Sequence, residues 1–216
     1  MTFSIVARNA DRSQFGVAVA SKYLAVGSVV PAARAGVGAL ASQAWANTAY
    51  RTDGLALLAD GATAQETMST LTGSDARREV RQLGVVDARG GSATYTGPQC
   101  TEWAGGVCGD GYAIQGNILV GAPVIAAMEQ AWLGSDPAGP LARRLLAALA
   151  AGDAAGGDNR GRQSAALLVA GGEGGYLDGD DMLVDLRVDD HQAPIPELAR
   201  LLDLHDLLFG KSAQKN

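Results

Sequence analysis

The chain is poor in the side chains on which many enzyme mechanisms rest: its 216 residues hold two histidines and two cysteines, and aromatics make up only 5%. Cys100 and Cys108 match no zinc or redox spacing, so the pair reads as reduced thiols rather than as a metal or disulfide site. Positive charge is also scarce. With 17 basic against 23 acidic residues the net charge is −6, and no basic run exceeds Arg77-Arg78 or Arg143-Arg144, so a nucleic-acid partner is not expected. No apolar run approaches the roughly 18 residues of a membrane span, and the first residues lack the basic and greasy regions of a signal peptide. Neither a membrane partner nor export is therefore expected, and a cytoplasmic location is the default.

What the chain has in quantity is small and apolar. Its 29 glycines sit in a sequence that is 47% hydrophobic, which points to closely packed layers rather than disorder. One domain over residues 1–209 is expected, followed by a polar tail over 210–216 that frays.

In chain order, Thr2-Phe-Ser-Ile-Val-Ala-Arg8 and Phe15-Gly-Val-Ala-Val-Ala-Ser-Lys22 read as a hairpin around the turn Asn9 to Ser13. Ala25 to Pro31 and Gly36 to Ala44 suggest two more strands. Around Ala46-Asn-Thr48 the period changes to a helical one carrying Leu55 and Leu58, and Thr63-Ala-Gln-Glu66 is a capping box opening a second helix that ends near Leu71. Val80 to Asp87 and Ser92 to Thr96 form a second hairpin, and Tyr112 to Gln115 a short strand, with both cysteines in loops. Pro123 begins a helix with Val124, Met128 and Trp132 on one stripe, and Leu141, Leu145 and Leu149 mark the next. Ala151 to Asp158 reads as a loop, Gln163 to Ala170 and Met182 to Asp189 as strands, and Pro196 to Phe209 as a last helix. Blocks of strands separated by helix pairs suit a layered α+β fold better than a parallel α/β sheet.

The first strand has a chemical reading. If Met1 is removed, Thr2 carries a hydroxyl and a free α-amine whose pKa of about 7.7–8 makes it a base near neutral pH. One residue then supplies nucleophile and base, and no histidine is needed.

The two hairpin segments, together with Val30-Pro-Ala-Ala-Arg-Ala-Gly-Val-Gly38, Arg81-Gln-Leu-Gly-Val-Val-Asp87, Gln115-Gly-Asn117, Gly161-Arg-Gln-Ser164 and Val184-Asp-Leu-Arg-Val-Asp-Asp-His191, resemble a bacterial family of uncharacterised function grouped with the N-terminal nucleophile (Ntn) hydrolases. The likeness runs from Thr2 to about His205. It implies a four-layer αββα sandwich of two mainly antiparallel sheets, as in proteasome β subunits, with amide hydrolysis as the superfamily's usual chemistry.

On that layout Thr2 is the candidate nucleophile. Lys22 ends the second strand, where its ammonium would lower the pKa of the Thr2 amine, and Ser21, on the opposite face, is the weaker candidate. Asn47 stands at the strand-to-helix junction, where its side chain caps the helix and the N–H groups of Thr48 and Ala49 are candidate oxyanion donors, with Gln43 as a further amide. Candidate substrate-binding residues are Gln43, Gln115, Asn117, Asp158, Arg160, Arg162, Gln163 and Ser164: a glycine between amides permits close approach, an Asp can orient the amine, and an Arg fork binds carboxylates. Each also has a plain reading, as turn chemistry or as an ion-paired loop.

His205 reads as a packed helix residue. Asp185, Arg187, Asp189 and His191 read as a charge ladder with cross-strand pairing, and a cation site built from Asp180, Asp181, Asp189, Asp190 and His191 matches no known spacing. An amidohydrolase acting on a small-molecule substrate, needing neither cofactor nor metal and assembling as a homo-oligomer, is the preferred expectation. Two alternatives stay open: a Cys100 or Cys108 nucleophile with His191 as base, and a non-catalytic binding or assembly protein that keeps the fold with Met1 retained.

Overall fold

The computed structural model describes residues 2–101, 103–172 and 180–209; Met1 and the expected tail over 210–216 lie outside the described residues. Strand β1 (Thr2–Arg8) is buried along its whole length. It pairs antiparallel with β2 (Gln14–Ser21) on one side and with β8 (Tyr112–Leu119) on the other, so both of its edges are satisfied. Its two faces serve different layers, because successive side chains alternate. Phe3, Ile5 and Ala7 point into one apolar cluster and Val6 into another.

The remaining strands are β3 (Pro31–Arg34), β4 (Gly38–Ala44), β5 (Arg81–Asp87), β6 (Ser92–Thr96), β7 (Trp103–Gly109), β9 (Ser164–Gly171) and β10 (Met182–Val188). They form two antiparallel sheets, ordered β10-β9-β2-β1-β8-β7 and β3-β4-β5-β6. The helices are α1 (Ala49–Ala59), α2 (Ala64–Ser74), α3 (Pro123–Gly134), α4 (Leu141–Ala154) and α5 (Pro194–Phe209). The fold is thus mixed α+β.

Three apolar clusters give the packing. Phe3 and Ile5 meet Met128 of α3 and Leu145 and Leu149 of α4, while Leu198 and Leu202 of α5 extend the same cluster. Leu40 and Leu83 of the smaller sheet meet Leu58 of α1 and Leu71 of α2. Between the sheets, Val6, Val17 and Val19 face Ala39, Ala41 and Val86. Each large side chain so buried contributes about 1.5–3 kcal/mol, which is why the sheets and helices hold together without disulfides.

The α2 capping box forms as its sequence predicts: Thr63 Oγ1 accepts from the Glu66 N–H at 3.2 Å, and Glu66 accepts from the Thr63 N–H at 2.9 Å. Pro123 is the first residue of α3. Five expectations are corrected. Ala25 to Pro31 is not a strand: Val26–Ser28 is a 3-10 turn and β3 starts at Pro31, where a proline is tolerated because β3 is a sheet edge. Tyr112 to Asn117 is continuous strand rather than a short strand plus turn, since β1 and β7 both pair with it. Cys108 lies in β7, not in a loop, and α4 runs on to Ala154 because alanine carries the helix through Gly152. The Arg187–Asp189 pair, 2.9 Å apart, lies along one strand rather than across two.

One glycine is required by close approach. A Cβ on Gly84 of β5 would sit 2.1 Å from Gln115 Oε1, and Gln115 is itself held by its Nε2 donating to Ser4 Oγ at 2.6 Å. Gly84→Ala is expected to lower stability by about 1–3 kcal/mol, read as a lower denaturant midpoint at unchanged slope.

Candidate active site

Thr2 stands at the first position of β1, 6% exposed. A cleft of about 320 Å³ opens above it, walled by Tyr23, Val26, Val29 and Val30 on one side and by the run Gln43 to Ala46 with Thr48 on the other. The Thr2 hydroxyl lies 3.1 Å from Ser21 Oγ, its cross-strand neighbour. The Thr2 carbonyl accepts from Gln43 Nε2 and from Asn117 Nδ2, both at 3.4 Å.

Those two amides belong to a polar network that fills one end of the space between the sheets. Strand register builds it: Thr2 opposes Asn117, Ser4 opposes Gln115, and Gln43 opposes Gln82. Gln82 Oε1 accepts from Gln43 Nε2 and from Asn117 Nδ2, each at 2.8 Å, and Gln82 Nε2 donates to the Gly116 carbonyl at 2.7 Å and to Thr96 Oγ1 at 2.9 Å. Ser4 Oγ donates to Gln43 Oε1 at 2.7 Å. Gln82 is the member that sequence reasoning missed. The available signal was its parity with the apolar inward residues of β5, which makes a glutamine there conspicuous.

Gln43 is among the cleft-lining residues, though it is 1% exposed and its amide is held by Gln82 and Ser4. Gln115 and Asn117 are not. They are 0% and 1% exposed and hold the Thr2 strand from below, because their side chains face the opposite sheet. Lys22 is displaced from its expected role. Its Nζ donates to the Arg162 carbonyl at 3.2 Å and its backbone N–H to Asp158 Oδ2 at 2.8 Å. The physical reason is the pleat: Thr2 registers with Ser21, so the next residue leaves that face. Ser21, the weaker expectation, is the side chain that reaches Thr2.

The stretch from Asp158 to Ser164 braces the site and does not rim it. Asp158 also accepts from the Arg160 N–H at 2.9 Å, and its bridge to Leu119 joins the ends of β2 and β8. The Arg160 guanidinium lies 3.6 Å from Asp158, and Arg162 Nε donates to Asp153 at 2.6 Å; neither arginine is among the described residues lining the cleft. The expected carboxylate fork is therefore not at the cleft. Gln163 takes part through its backbone, its carbonyl accepting from the His191 N–H at 2.8 Å. Ser164 is fully buried, donates to the Tyr23 carbonyl and accepts from the Val26 N–H at 3.1 Å, which pins the aromatic and valine wall.

Asn47 is committed elsewhere. Its Nδ2 donates to Asp75 at 3.3 Å and its Oδ1 accepts from the Ala49 N–H at 3.2 Å, so the side chain caps α1 and is not aimed at Thr2. The backbone beside it is open: the N–H groups of Ala46 and Thr48, both cleft residues, have no acceptor among the described residues. Local strain gathers here as well. Of four non-glycine residues with positive φ among the described residues, Ala44 (65°) lines the cleft, Ala25 (54°) precedes wall residue Val26, Ile118 (54°) follows Asn117, and Arg12 (63°) sits in a remote hairpin turn. Such conformations cost about 1–3 kcal/mol each and cluster at functional sites.

Asp75 anchors this wall. Arg81 Nε donates to it at 2.8 Å, the Arg77 N–H at 2.7 Å and the Tyr50 hydroxyl at 3.0 Å. The Arg81 guanidinium chiefly, against opposing desolvation, holds the Asp75 carboxyl well below its ordinary value of 3.8. Because the folded value is the lower one, the stabilisation is full above the unfolded value and drains away as pH falls below about 4. Asp75→Asn is therefore expected to flatten the acid limb of a stability-versus-pH curve between about pH 5 and 2. An unchanged slope in that window would contradict the assignment.

Other candidate chemistry falls outside the cleft. Burial pushes the Cys100 thiol up, away from a thiolate, and its Sγ donates to the Arg81 carbonyl. Cys108 is a free, exposed thiol, and neither cysteine lines the cleft among the described residues. His191 Nδ1 accepts from the Ala193 N–H at 3.0 Å, and His205 packs 5.3 Å from the Phe209 ring. Among the described residues no three His, Cys, Asp or Glu side chains converge as metal ligands, and no helix is long and apolar enough to cross a membrane.

Residues 2–198 match a family described as a family of unknown function, DUF1028. Protein SPO2555 from Silicibacter pomeroyi, assigned to DUF1028, has a crystal structure similar to this one over 95% of this chain and 86% of that chain, at 33% identity and a TM-score of 0.86. Anbu, an ancestral beta-subunit from Yersinia bercovieri, aligns over 95% of this chain and 97% of that one, at 14% identity and a TM-score of 0.40. A comparison with curated proteins found no match. On the extent of the family match and the identity to the Silicibacter pomeroyi protein, the chain belongs to the DUF1028 family of unknown function.

Proposed function

We propose that this protein is an Ntn-type amidohydrolase acting on a small amide, with Thr2 as nucleophile once its α-amine is free. One observation carries the reading: a hydroxyl on the first residue of a central strand forms the floor of a cleft, with its own carbonyl fastened by two buried amides. Two sheets that face each other and carry helices on their outer faces support the reading, since the Ntn resemblance implies four layers. The strained backbone around the cleft is a second support.

In the proposed reaction the α-amine of Thr2 takes the proton from Oγ1, directly or through one water, as Oγ1 bonds to the amide carbon. The carbonyl oxygen becomes the oxyanion, for which the open N–H groups of Ala46 and Thr48 are the candidate donors. Collapse breaks the C–N bond, the amine proton passes to the leaving nitrogen, and an ester on Thr2 remains. Water, activated by the same amine, hydrolyses that ester and restores Thr2. Ser21 Oγ, beside Oγ1, helps to fix the hydroxyl rotamer.

Intact mass of protein made in its native host, before and during incubation with small amides and an acid quench, tests the proposal. The expected result is loss of Met1 and a transient acyl mass on the peptide that begins at Thr2. Turnover by protein with Met1 retained would overturn the mechanism, and a retained methionine with ligand binding alone would favour the non-catalytic binder.

A further inference from the structure

We infer that the cleft above Thr2 takes an uncharged, apolar group on the acyl side of the amide, and that it discriminates against acidic and basic substrates. This specificity rests on the amidohydrolase reading for its catalytic meaning, though not for its binding test. The walls are mostly apolar, with Tyr23, Val26, Val29, Val30, Ala44 and Trp45, and the other polar side chains that line the cleft, Thr2, Gln43 and Thr48, are uncharged. No Asp, Glu, Lys or Arg is among the described residues that line it. The nearby charges face partners of their own: Arg162 is on Asp153, Arg81 on Asp75 and Lys22 on a backbone carbonyl. Two cations also touch the Trp45 wall: the Arg77 guanidinium lies 5.8 Å from the centre of the Trp45 ring, and Arg81 Nη1 donates to the Trp45 carbonyl.

An ionic group brought into such walls loses water and finds no side-chain counter-ion, and the Thr2 amine is neutral in the pH range above about 8 where it acts as base, whereas an alkyl or aryl group replaces water on the valine and tryptophan surface. The open backbone N–H groups of Ala46 and Thr48 meet the amide oxygen, while the Gln43 side chain keeps its own partners in the network below. The wall is preformed: Ser164 holds Tyr23 and Val26 from behind, and Ala44 is locked in its unusual conformation, so little is lost in ordering it on binding. A volume near 320 Å³ suits one small branched or aromatic group beside the amide, at the low end of ligand pockets of about 300–1,000 Å³.

The test uses three primary amides of similar length, 3-methylbutanamide, succinamate and 4-aminobutanamide, with the full chain carrying a free Thr2. Binding is read by calorimetry and hydrolysis by ammonia release. The expected result is dissociation of 3-methylbutanamide at a concentration at least about tenfold below either ionic amide, in line with pocket discrimination of about 10–200-fold per apolar group. Val29→Asp is expected to shift the preference toward 4-aminobutanamide, and Trp45→Ala, at a residue 67% exposed and so without folding consequence, to weaken 3-methylbutanamide several-fold. Equal binding of the three, tighter binding of an ionic one, or no binding of the apolar one overturns the inference. If succinamate wins and Arg77→Gln abolishes that binding, that cation sets specificity instead. Apolar binding without ammonia release would remove the hydrolase reading alone, and Thr2-dependent release from an ionic amide would remove the specificity alone.

Discussion

Thr2→Ala is expected to reduce amide turnover by at least about a thousandfold, the scale on which removal of a covalent nucleophile acts. The same change should leave the fold in place. It deletes one hydrogen bond, to Ser21, and one buried methyl, a loss of about 1–2 kcal/mol, while the Thr2 carbonyl keeps both its amide donors and the strand keeps both neighbours. Thr2→Ser retains a hydroxyl and an α-amine and should retain most of the activity. The pH dependence separates nucleophile from scaffold. An α-amine base is active only when unprotonated, so turnover should fall as pH drops below about 7.7–8, and blocking that amine by acetylation should abolish it at every pH. Turnover by Thr2→Ala at the parental rate would reject the chemistry.

Gln82→Leu should be the most destabilising single substitution in the inter-sheet network, at about 3–5 kcal/mol, measured as a fall in the denaturant midpoint. Leucine fits the volume but accepts nothing. Gln43 Nε2 and Asn117 Nδ2 both lose their shortest acceptor, and the Gly116 carbonyl and Thr96 hydroxyl lose a donor, all within a space that water does not reach freely. A buried polar group left poorly paired costs about 1–3 kcal/mol, and here two donors keep only longer bonds to backbone carbonyls while two further groups lose their bond to Gln82 Nε2. Gln82→Glu offers a check of a different kind: it keeps the acceptor for Gln43 and Asn117 but loses the donor to Gly116, and should be less harmful wherever its carboxyl is protonated. A Leu variant as stable as the parent would mean that the network relaxes, and that Thr2 is not held by it.

Much of the fold was legible in local pattern. The first hairpin, the second hairpin, the Thr63-Ala-Gln-Glu66 capping box and the leucine stripe of α4 each carry their own signal within a few residues. Segments were misread where tertiary pairing overrides local chemistry. Gln115-Gly-Asn117 has the composition of a turn, yet two strands pair with it and draw it out as β8. Ala25 to Pro31 has the apolar, β-branched composition of a strand, yet Ser164 and the Asp189 carbonyl capture the backbone N–H groups of Val26 and Ala25 and hold a 3-10 turn instead. The site divided the same way. Thr2 was singled out from its position in the chain and lines the cleft, whereas Lys22, expected beside it, points away and Ser21 reaches Thr2 instead, because one residue of register decides which side chain faces it.

By itself the sequence determined the class of chain: an acidic, glycine-rich α+β candidate with no zinc or redox cysteine spacing, in which Thr2 is the expected nucleophile if Met1 is removed. It did so because composition and short-range periodicity are local properties. Only the tertiary structure decided what surrounds that threonine. Gln43, Gln82 and Asn117 come from three strands in two sheets, and the apolar cleft walls come from two separated loops. Their convergence depends on sheet register and on which face each strand buries, and neither is encoded in any one stretch.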